Sequence, residues 1–391
     1  MKFSKIIYFR YIPLTKKIYD DFYMQQLNDA GFEVEYWDLS AIFSTSNFGQ
    51  EDSSHLAHTI KFDSYAVLEK AIKVQDVSST LYISIVTYEG RVTKLFRLLT
   101  RYNCIIGVFG RNMFPTQSSN TPRSVWQRIL NITPTKLCNY LTNSKAKLLK
   151  AIGYIKDYDI IFQGGSKGWL GLGIVNPNEV TKAQIVKVNS DDYDNYLRIK
   201  ANPRIKEKNY ILFLDEYLPL HPDTELIGIK NVSAEEYYPI LNSFFDRIEQ
   251  QFSMPVVVAA HPKSLKYKEN DYFNGRQVLF GLSADLSRDA HFVLAHDSTS
   301  INYPIAFGVK LHFITSHSIE KSINSVHQNV LMFANYLHCN WQYMDDEQTP
   351  IQVIDTVDRN AYNNYKYDFQ CWPATENTLT KDIFTSYLES L

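Results

Sequence analysis

The stretch from Met254 to Lys263 constrains the fold most, because its apolar residues run without interruption between two prolines. A short continuous apolar run is typical of a strand in a parallel sheet, where helices cover both faces and no alternation is needed. This strand ends in His261 and Pro262. Ligands of open α/β sheets collect at the carboxyl ends of the strands, so we expect His261 to lie where chemistry takes place. Pro262 fixes the turn that follows it.

Short apolar strands alternate with helical stretches along the whole chain. A strand at 6–9, a helix at 19–30 that stops at Gly31, and a strand at 32–37 form a β-α-β opening. Such alternation predicts an α/β fold with parallel sheets and right-handed crossovers. The chain has 391 residues, more than one hydrophobic core usually serves, so we expect two domains. Asn202-Pro203 and the charged residues after it mark the expected junction.

Composition and charge exclude several classes of protein. The net charge of -2 gives no strong bias toward nucleic acid. The N-terminus lacks the long apolar region of a signal peptide, and no run of about 18 apolar residues occurs, so we expect a cytoplasmic protein that could still lie on a membrane. Four widely spaced cysteines favour reduced, buried thiols over a disulfide framework or a zinc site. They are Cys104, Cys138, Cys339 and Cys371.

Three predicted strand ends in the second half of the chain carry polar groups. They are Asp215-Glu216, His261-Pro262 and Ser298-Thr299-Ser300. The carboxyl ends of parallel strands lie on one edge of a sheet, so we expect the three clusters to face a common crevice. The serine cluster also begins a helix, where N–H groups and hydroxyls suit a phosphate. A nearby histidine can bind the same phosphate.

Each cluster alone also has an ordinary structural explanation. Ser298 can serve only as an N-cap, His261 can be a satisfied core histidine, and the acidic pair can be solvated turn residues. Their occurrence together at successive strand ends favours a nucleotide-linked site.

The residues in this half resemble a known pattern. The segment 281–300, followed by Ala306-Phe307-Gly308 and a strand, resembles the donor-binding half of GT-B glycosyltransferases. More narrowly, an acidic pair after the first strand, a His-Pro after the second and a Ser/Thr pair at a helix start resemble bacterial sialyltransferases and CMP-Kdo transferases of capsule and lipopolysaccharide assembly. The motifs cover roughly Tyr210 to Ile314, and the first half matches only in its architecture.

This resemblance implies the GT-B architecture, with two Rossmann-like domains, parallel sheets and an active site in the interdomain cleft. It implies an acceptor-binding domain at residues 1–203 and a nucleotide-sugar donor domain at 204–375. A C-terminal helix at 376–391 would pack back on the first domain.

The resemblance also implies an inverting transfer from a CMP donor that needs neither a metal nor a cofactor. His261 would bind the donor phosphate and assist its departure. Asp215 or Glu216 would be the general base for the acceptor hydroxyl, and we favour Asp215. The residues implied to bind the donor are His261, Pro262, Lys263, Gly281, Ser298, Thr299 and Ser300.

Asp192-Tyr193-Asp194 has the spacing by which other glycosyltransferases hold a divalent metal. Acids are also favoured at the start of a helix, which is the interpretation we prefer here, so no metal site is expected.

The first half offers two candidate contacts. Gly164-Gly165-Ser166 follow a predicted strand and could let an acceptor approach the backbone, although a plain turn explains them as well. No Asp or Glu occurs in the block 90–156, whereas a dozen Lys and Arg do, and Ser124–Leu130 and Leu137–Ile152 mix apolar with basic residues at helical intervals. The block is either an ordinary solvated face or a surface that meets anionic lipid or an anionic acceptor; the absence of acids favours the latter. The lysines expected to make that contact are Lys145, Lys147 and Lys150.

Three alternatives remain open. The chain could use a UDP- or GDP-sugar, could be a polyol-phosphate transferase of the teichoic-acid type, or could be a non-catalytic protein that binds a glycan or nucleotide. The expected partners are a nucleotide-sugar donor and a glycan or lipid-linked glycan acceptor at the inner face of the cytoplasmic membrane, and no nucleic acid.

Overall fold

The computed structural model describes residues 3–45, 53–115, 134–203, 209–222 and 231–391. The chain divides into two compact units. Within the described residues, the first unit contains the chain up to Met113, the part that ends at Asp191, and Cys371–Leu391. The second unit contains residues 114–115 and Asp192–Gln370.

The first unit is built on a seven-stranded parallel sheet in the order β3-β2-β1-β4-β5-β6-β7. Its strands are β1 Lys5–Arg10, β2 Glu33–Asp38, β3 His58–Lys61, β4 Thr80–Ser84, β5 Ile105–Gly110, β6 Ile160–Gly164 and β7 Gln184–Val188. Its helices are α1 Lys16–Asp21, α2 Met24–Asp29, α3 Tyr65–Lys73, α4 Thr93–Arg101, α5 Pro134–Ala151 and α6 Pro177–Lys182.

The second unit is built on a six-stranded parallel sheet in the order β10-β9-β8-β11-β12-β13. Its strands are β8 Ile211–Leu214, β9 Val256–Ala260, β10 Gln277–Phe280, β11 Val293–Ala295, β12 Leu311–Thr315 and β13 Trp341–Tyr343. Its helices are α7 Asp191–Ile199, which begins at the boundary, α8 Ala234–Phe252, α9 Ser283–Asp289, α10 Asn302–Phe307, α11 His317–Ser322, α12 Asn324–Leu337 and α13 Arg359–Tyr365. The strand order is that of the doubly wound dinucleotide-binding fold.

These two sheets confirm the predicted fold class, which is α/β with two Rossmann-like domains of parallel strands. The interdomain cleft stays a prediction. The units divide between Asp191 and Asp192, which is earlier in the chain than the expected junction at Asn202-Pro203. No described helix has both the length and the apolar character needed to cross a bilayer.

The focal strand β9 is held in the core as its sequence predicts. All five of its residues are buried. The long helix α8 packs beside it, and its N-terminus is capped by Ser233, whose side chain accepts a hydrogen bond from the N–H of Glu236. Phe245 of this helix packs edge-on against Phe213 of β8, with ring centroids 5.3 Å apart. The helix, β8 and β9 therefore share one hydrophobic core.

The chain ends with α14, Thr380–Glu389, which belongs to the first unit. Phe384 of this helix is fully buried. Its ring lies 4.7 Å from that of Phe162 and 5.3 Å from that of Phe109. Trp372 anchors the approach to the helix, because its indole N–H donates to the carbonyl of Gln163 at 2.7 Å.

Two predicted helices are divided in the structure. The helix predicted at 19–30 breaks at Tyr23, which has a φ of 59°. Arg111 holds the break, since its guanidinium donates to the carbonyl of Asp21 at 2.6 Å and to the hydroxyl of Tyr23 at 2.8 Å. The helical spacing of residues 319–336 also predicts a single helix, which likewise divides at Ile323, between α11 and α12.

Other expectations about single elements also need correction. The cysteines are free, but Cys138 is exposed rather than buried. The edge strands β3 and β13 were not predicted, because their sequences, His-Thr-Ile-Lys and Trp-Gln-Tyr, are not continuous apolar runs. The predicted helical pattern at Ser124–Leu130 lies outside the described residues.

Candidate active site

The predicted polar clusters of the second unit follow three adjacent strands. β8 pairs with β9 on one side and with β11 on the other, and all three are parallel. Leu214, the last residue of β8, is in register with Ala259 of β9 and Ala295 of β11. The residues after these strands therefore leave the sheet side by side at its carboxyl edge. The strand order reverses between β8 and β11, so this edge is also the switch point where such sheets bind ligands.

Asp215, the first residue after β8, is buried and fully hydrogen bonded. Its Oδ1 accepts from the N–H of Tyr217 and from the hydroxyl of Tyr267, both at 3.1 Å. Its Oδ2 accepts from the N–H of His261 at 3.2 Å. Burial raises the pKa of Asp215 from 3.8 to about 6, although the hydrogen bonds act to lower it. Both oxygens are bound to the protein framework, so Asp215 fixes the segment that carries His261.

His261 is half-buried, and the turn that it begins orients its ring. The N–H of Lys263 donates to His261 Nδ1 at 3.2 Å. The hydroxyl and N–H of Ser264 both donate to the His261 carbonyl, at 2.6 and 2.9 Å. Because Nδ1 accepts a hydrogen bond, the neutral ring carries its proton on Nε2. The ring can therefore offer an N–H donor to an anionic group.

A second histidine, His221, lies beside His261 and was missed by the sequence analysis. The two ring centroids are 4.9 Å apart and the rings are nearly edge to face. His221 comes after the short turn Leu218–Leu220 that follows β8. The available signal was its own His-Pro dipeptide, but it ends no strand. Two imidazoles at this spacing can bind the same phosphate.

Glu216 lies at the switch point against Asp297, the second residue after β11. The carboxyl group of Glu216 is in hydrogen-bonding contact with that of Asp297. Burial, and then the charges of Asp297 and Asp215, raise the pKa of Glu216 well above its usual value. Among the residues that the structure describes, the buried Oε1 of Glu216 has no hydrogen-bond partner. In the described part of the chain, one oxygen of Glu216 is therefore not hydrogen bonded, whereas both oxygens of Asp215 are. The raised pKa of Glu216 suits a general base.

Ser298 has the capping role that was one of its two interpretations. Its Oγ accepts from the N–H of Ser300 at 3.2 Å. Thr299 is exposed and Ser300 is half-buried, on a 3-10 turn that leads into α10. That helix has six residues, so its dipole adds little. An anion here would be held mainly by the hydroxyls and N–H groups of the turn.

The remaining predicted donor residues lie at the same edge of the sheet. Pro262 and Lys263 are exposed in the turn after His261. Gly281 follows β10, the outer neighbour of β9, and has a φ of 71°. A Cβ at Gly281 would meet nothing within 4 Å. The backbone angle, and not a lack of space, therefore requires glycine there.

A buried hydrogen-bonded network supports these strand ends. His296 Nδ1 lies 2.6 Å from the carbonyl of Ile314, which can only accept, so Nδ1 carries the proton. Its Nε2 then accepts from the hydroxyl of Tyr237 at 2.9 Å. Burial lowers the pKa of His296, which keeps the ring neutral. Tyr238 and Tyr267 are joined through their hydroxyls at 2.9 Å, and this contact holds the donor that reaches Asp215.

In the first unit, packing explains the predicted acceptor glycines. A Cβ at Gly164 would lie 3.0 Å from Arg111 Cβ and 3.2 Å from the backbone of Ser190. Gly165 has a φ of 71°, and Gln163 Nε2 donates to its carbonyl at 3.0 Å. Ser166 is exposed. The assignment of Gly164, Gly165 and Ser166 to an acceptor stays a prediction.

The Asp-x-Asp segment makes structural contacts at the start of α7. The two oxygens of Asp192 accept from Asn302 Nδ2 at 2.7 Å and from the hydroxyl of Tyr303 at 2.9 Å. Asp194 is buried. These bonds join α7 to α10. Over the described ranges, no group of three or more His, Cys, Asp and Glu is placed to hold a metal ion.

Comparisons with known proteins give weak similarities only. No protein-family model matches the chain, and no curated protein matches it significantly. The calicheamicin glycosyltransferase CalG4 is 10% identical, with a TM-score of 0.44 over 100% of this chain and 98% of its own. A putative UDP-N-acetylglucosamine 2-epimerase from Listeria monocytogenes is 9% identical, with a TM-score of 0.45 over 100% and 98%. MurG from Acinetobacter baumannii is 7% identical, with a TM-score of 0.44 over 99% and 100%. Similarities of this size assign neither a family nor a donor nucleotide.

Proposed function

We propose that the protein is an inverting glycosyltransferase of GT-B fold that moves a sugar from a CMP donor to a glycan hydroxyl without a metal. The observation that carries this proposal is the arrangement at the carboxyl edge of the second sheet. His261, the acidic pair Asp215-Glu216 and the turn 298–300 follow three adjacent strands at the switch point. The sugar we expect is an ulosonic acid, such as Kdo or a sialic-acid-like sugar.

Each of these groups has its own role in the proposed reaction. The acceptor oxygen attacks the anomeric carbon and forms the new glycosidic bond. The bond from that carbon to the donor phosphate breaks, and its electron pair leaves on the phosphate oxygen of CMP. His261 Nε2–H and the turn 298–300 stabilise this charge. A carboxylate accepts the proton of the acceptor hydroxyl, which completes the balance.

The geometry favours Glu216 over Asp215 as that base, which revises our preference from the sequence. Both oxygens of Asp215 accept hydrogen bonds from the protein, and one of them holds the N–H of His261. Glu216 has a raised pKa and lies at the switch point, so it is the better proton acceptor. Asp215 is then a positioning residue, whose loss acts through His261.

A CMP leaving group fits the hydrogen-bond donors at this edge. CMP carries one phosphate, and a histidine N–H with a short turn of hydroxyls can stabilise it. A nucleoside diphosphate brings more negative charge and usually calls for a cation or further basic groups. A test of which nucleotide binds therefore distinguishes a CMP donor from a UDP- or GDP-sugar donor.

A nucleotide panel tests the proposal. Thermal shift of the full-length protein is measured with CMP, CTP, UDP and GDP, each with EDTA present. We expect stabilisation by CMP and CTP, and loss of that stabilisation in His261→Ala. Preference for UDP would refute the CMP assignment, and indifference to all four nucleotides would favour a non-catalytic binding protein. Glu347→Gln, at an exposed position of the same unit, is the control.

We also propose that the first unit contacts an anionic membrane surface through α5, where a lipid-linked acceptor would be presented. Leu137, Leu141, Leu148 and Ile152 are between 47% and 66% exposed. At 3.6 residues per turn they fall within about 60° of one another around the helix. The buried Ala146 lies on the opposite side. The apolar stripe of α5 therefore faces away from the unit's core.

Two lysines flank this stripe, but the third predicted lysine does not. Lys145 and Lys147 are exposed, and helical spacing places them on either side of the stripe. Lys150 is buried instead, with its Nζ 2.6 Å from Glu179 Oε1 and donating to the carbonyl of Ile174 at 3.1 Å. Lys150 is thus a structural residue and cannot reach lipid. An exposed apolar stripe with lysines at its borders fits an anionic lipid surface.

Vesicle flotation of the full-length protein tests this contact. We expect binding to vesicles that contain phosphatidylglycerol, weaker binding to phosphatidylcholine alone, and a decrease with added salt. Lys145→Glu with Lys147→Glu, or Leu148→Glu alone, should abolish it. The matched control is Lys70→Glu with Lys321→Glu, which makes the same charge change at exposed positions elsewhere. Equal binding by all variants, or none by the wild type, would refute the membrane contact.

A further inference from the structure

Glu216 and Asp297 occupy equivalent positions on neighbouring parallel strands. Leu214 of β8 is in register with Ala295 of β11, and each acid follows two positions later. The order of the sheet reverses between these two strands. The two carboxyl groups therefore meet at the switch point itself, where a ligand of the sheet would lie.

The surroundings of the two carboxyl groups differ. Asn329 of α12 donates its Nδ2–H to Asp297 Oδ2 at 2.8 Å. Glu216 Oε1 is buried without a hydrogen-bond partner among the residues that the structure describes. The backbone N–H of Asp297 also bonds to the Glu216 carboxyl and partly offsets the rise in its pKa.

Two ionised carboxylates in contact at a buried position repel each other, whereas a carboxylic acid can donate to a carboxylate. Burial and the charge of Asp297 both raise the pKa of Glu216. Asp297 keeps the hydrogen bond that the Asn329 amide donates to it. The proton that the pair shares therefore belongs on Glu216.

We propose that Glu216 and Asp297 share one proton, and that Asp297 is the positioning residue that sets the proton affinity of the catalytic base. The role in transfer rests on the proposed function, but the shared proton is a property of the protein alone. In the reaction, Glu216 first releases its proton to solvent. It then accepts the proton of the acceptor hydroxyl, while its contact with Asp297 holds it in place.

Other ionisable groups face Glu216 from the elements packed around it. Asp215 on the same strand end adds negative charge and acts in the same direction as Asp297. Tyr237 of α8 also interacts with Glu216, and its hydroxyl donates to His296. Since burial keeps His296 neutral, Asp297 and Asp215 are the charges that dominate.

Carboxyl titration by 13C NMR tests the shared proton without any substrate. The full-length protein is labelled at its Glu and Asp carboxyl carbons and titrated as wild type, Glu216→Gln and Asp297→Asn. We expect one Glu signal to titrate well above the usual value of about 4.3, and to vanish in Glu216→Gln. In Asp297→Asn the same signal should titrate about one pH unit lower or more, because a like charge has been removed. Glu347→Gln should leave it unchanged.

A pH profile of transfer tests the role of Asp297. The acidic limb of kcat/KM should move to lower pH in Asp297→Asn by the shift that NMR shows, and the plateau should fall because a weaker base remains. Asp297→Glu, which keeps the charge, should restore a limb near that of the wild type. If the acidic limb does not move in Asp297→Asn, Asp297 does not set the proton affinity of the catalytic base.

The outcomes separate this proposal from the proposed function. If no sugar is transferred but the Glu216 signal shifts as described, the shared proton stands and the transferase assignment fails. An ordinary Glu216 titration, or one that Asp297→Asn does not change, would overturn the shared proton. Binding of Mg²⁺ alone at this pair, lost in Asp297→Asn, would overturn it in favour of a cation site.

Discussion

Replacement of Asp215 by asparagine should remove the loss of stability that the second unit shows as the pH rises through the pKa of this residue. Asp215 is 4% exposed, and its pKa rises from 3.8 to about 6 in the folded protein. The folded state thus holds this proton more tightly than the unfolded chain does. The stability that the residue contributes is complete below about pH 4 and is lost as the pH rises through about 6. By pH 7 the loss amounts to about 3 kcal/mol.

Asparagine at position 215 cannot ionise, and its side chain has one hydrogen-bond acceptor oxygen fewer than aspartate. Its carbonyl oxygen can still accept from Tyr217 and Tyr267, which bond to one oxygen of the native carboxylate. Its NH2 group cannot accept from His261, whose N–H bonds to the other oxygen. That unsatisfied donor costs about 1–3 kcal/mol. The variant should therefore be less stable than the wild type at pH 4 by this amount, and equal to it or up to about 2 kcal/mol more stable at pH 7.

Hydrogen exchange of peptides that cover β8 and β9, measured between pH 4 and pH 8, gives the local free energies of opening. The same variant should bind CMP about 5- to 150-fold more weakly, since the unbonded segment no longer fixes the His261 ring. Glu347→Gln, at an exposed position, should change neither quantity. Parallel pH profiles for Asp215→Asn and the wild type would refute the reasoning, because they would mean that the pKa of Asp215 does not change on folding.

Two further changes test the first unit by urea denaturation. Lys150→Met should lower the free energy of unfolding by about 3–5 kcal/mol, because Glu179 is left charged and buried without its cation. Lys150→Met combined with Glu179→Gln should recover most of this loss. Lys147→Met, at an exposed position, should have little effect. Phe384→Ala should cost about 3–5 kcal/mol, because the ring is fully buried against the sheet of the first unit. A loss below about 1 kcal/mol in either single variant would contradict the packing described here.

Much of the fold could be predicted from local pattern. The strands β8, β9 and β11 are short apolar runs that end in polar residues, and parallel pairing was enough to bring those ends to one edge. The break in the first helix could not be predicted, because Arg111, about ninety positions later in the chain, holds it at Tyr23. Contacts of that sequence separation leave no trace in helical periodicity.

The division of roles within the site was also beyond the sequence. Asp215 and Glu216 are adjacent in the chain, and only burial and hydrogen bonding show that Asp215 holds the His261 segment. Asp297 lies within the segment 281–300, but the sequence analysis assigned it no role. Its contact with Glu216 depends on the register of β8 and β11. Lys150 has the same helical pattern as Lys145 and Lys147, yet its partner Glu179 comes from a different helix.

The measurement that tests the central claim most directly is release of free nucleotide from a sugar donor. The purified full-length protein is incubated in EDTA with CMP-Kdo, CMP-sialic acid or UDP-N-acetylglucosamine, and the nucleotide is quantified by chromatography. We predict that CMP is released from a CMP donor, that UDP is not released, and that His261→Ala lowers the rate about 100-fold or more while circular dichroism stays unchanged. Release of UDP alone, or release of CMP that is the same in His261→Ala, would contradict the assignment of this edge as a CMP-sugar site.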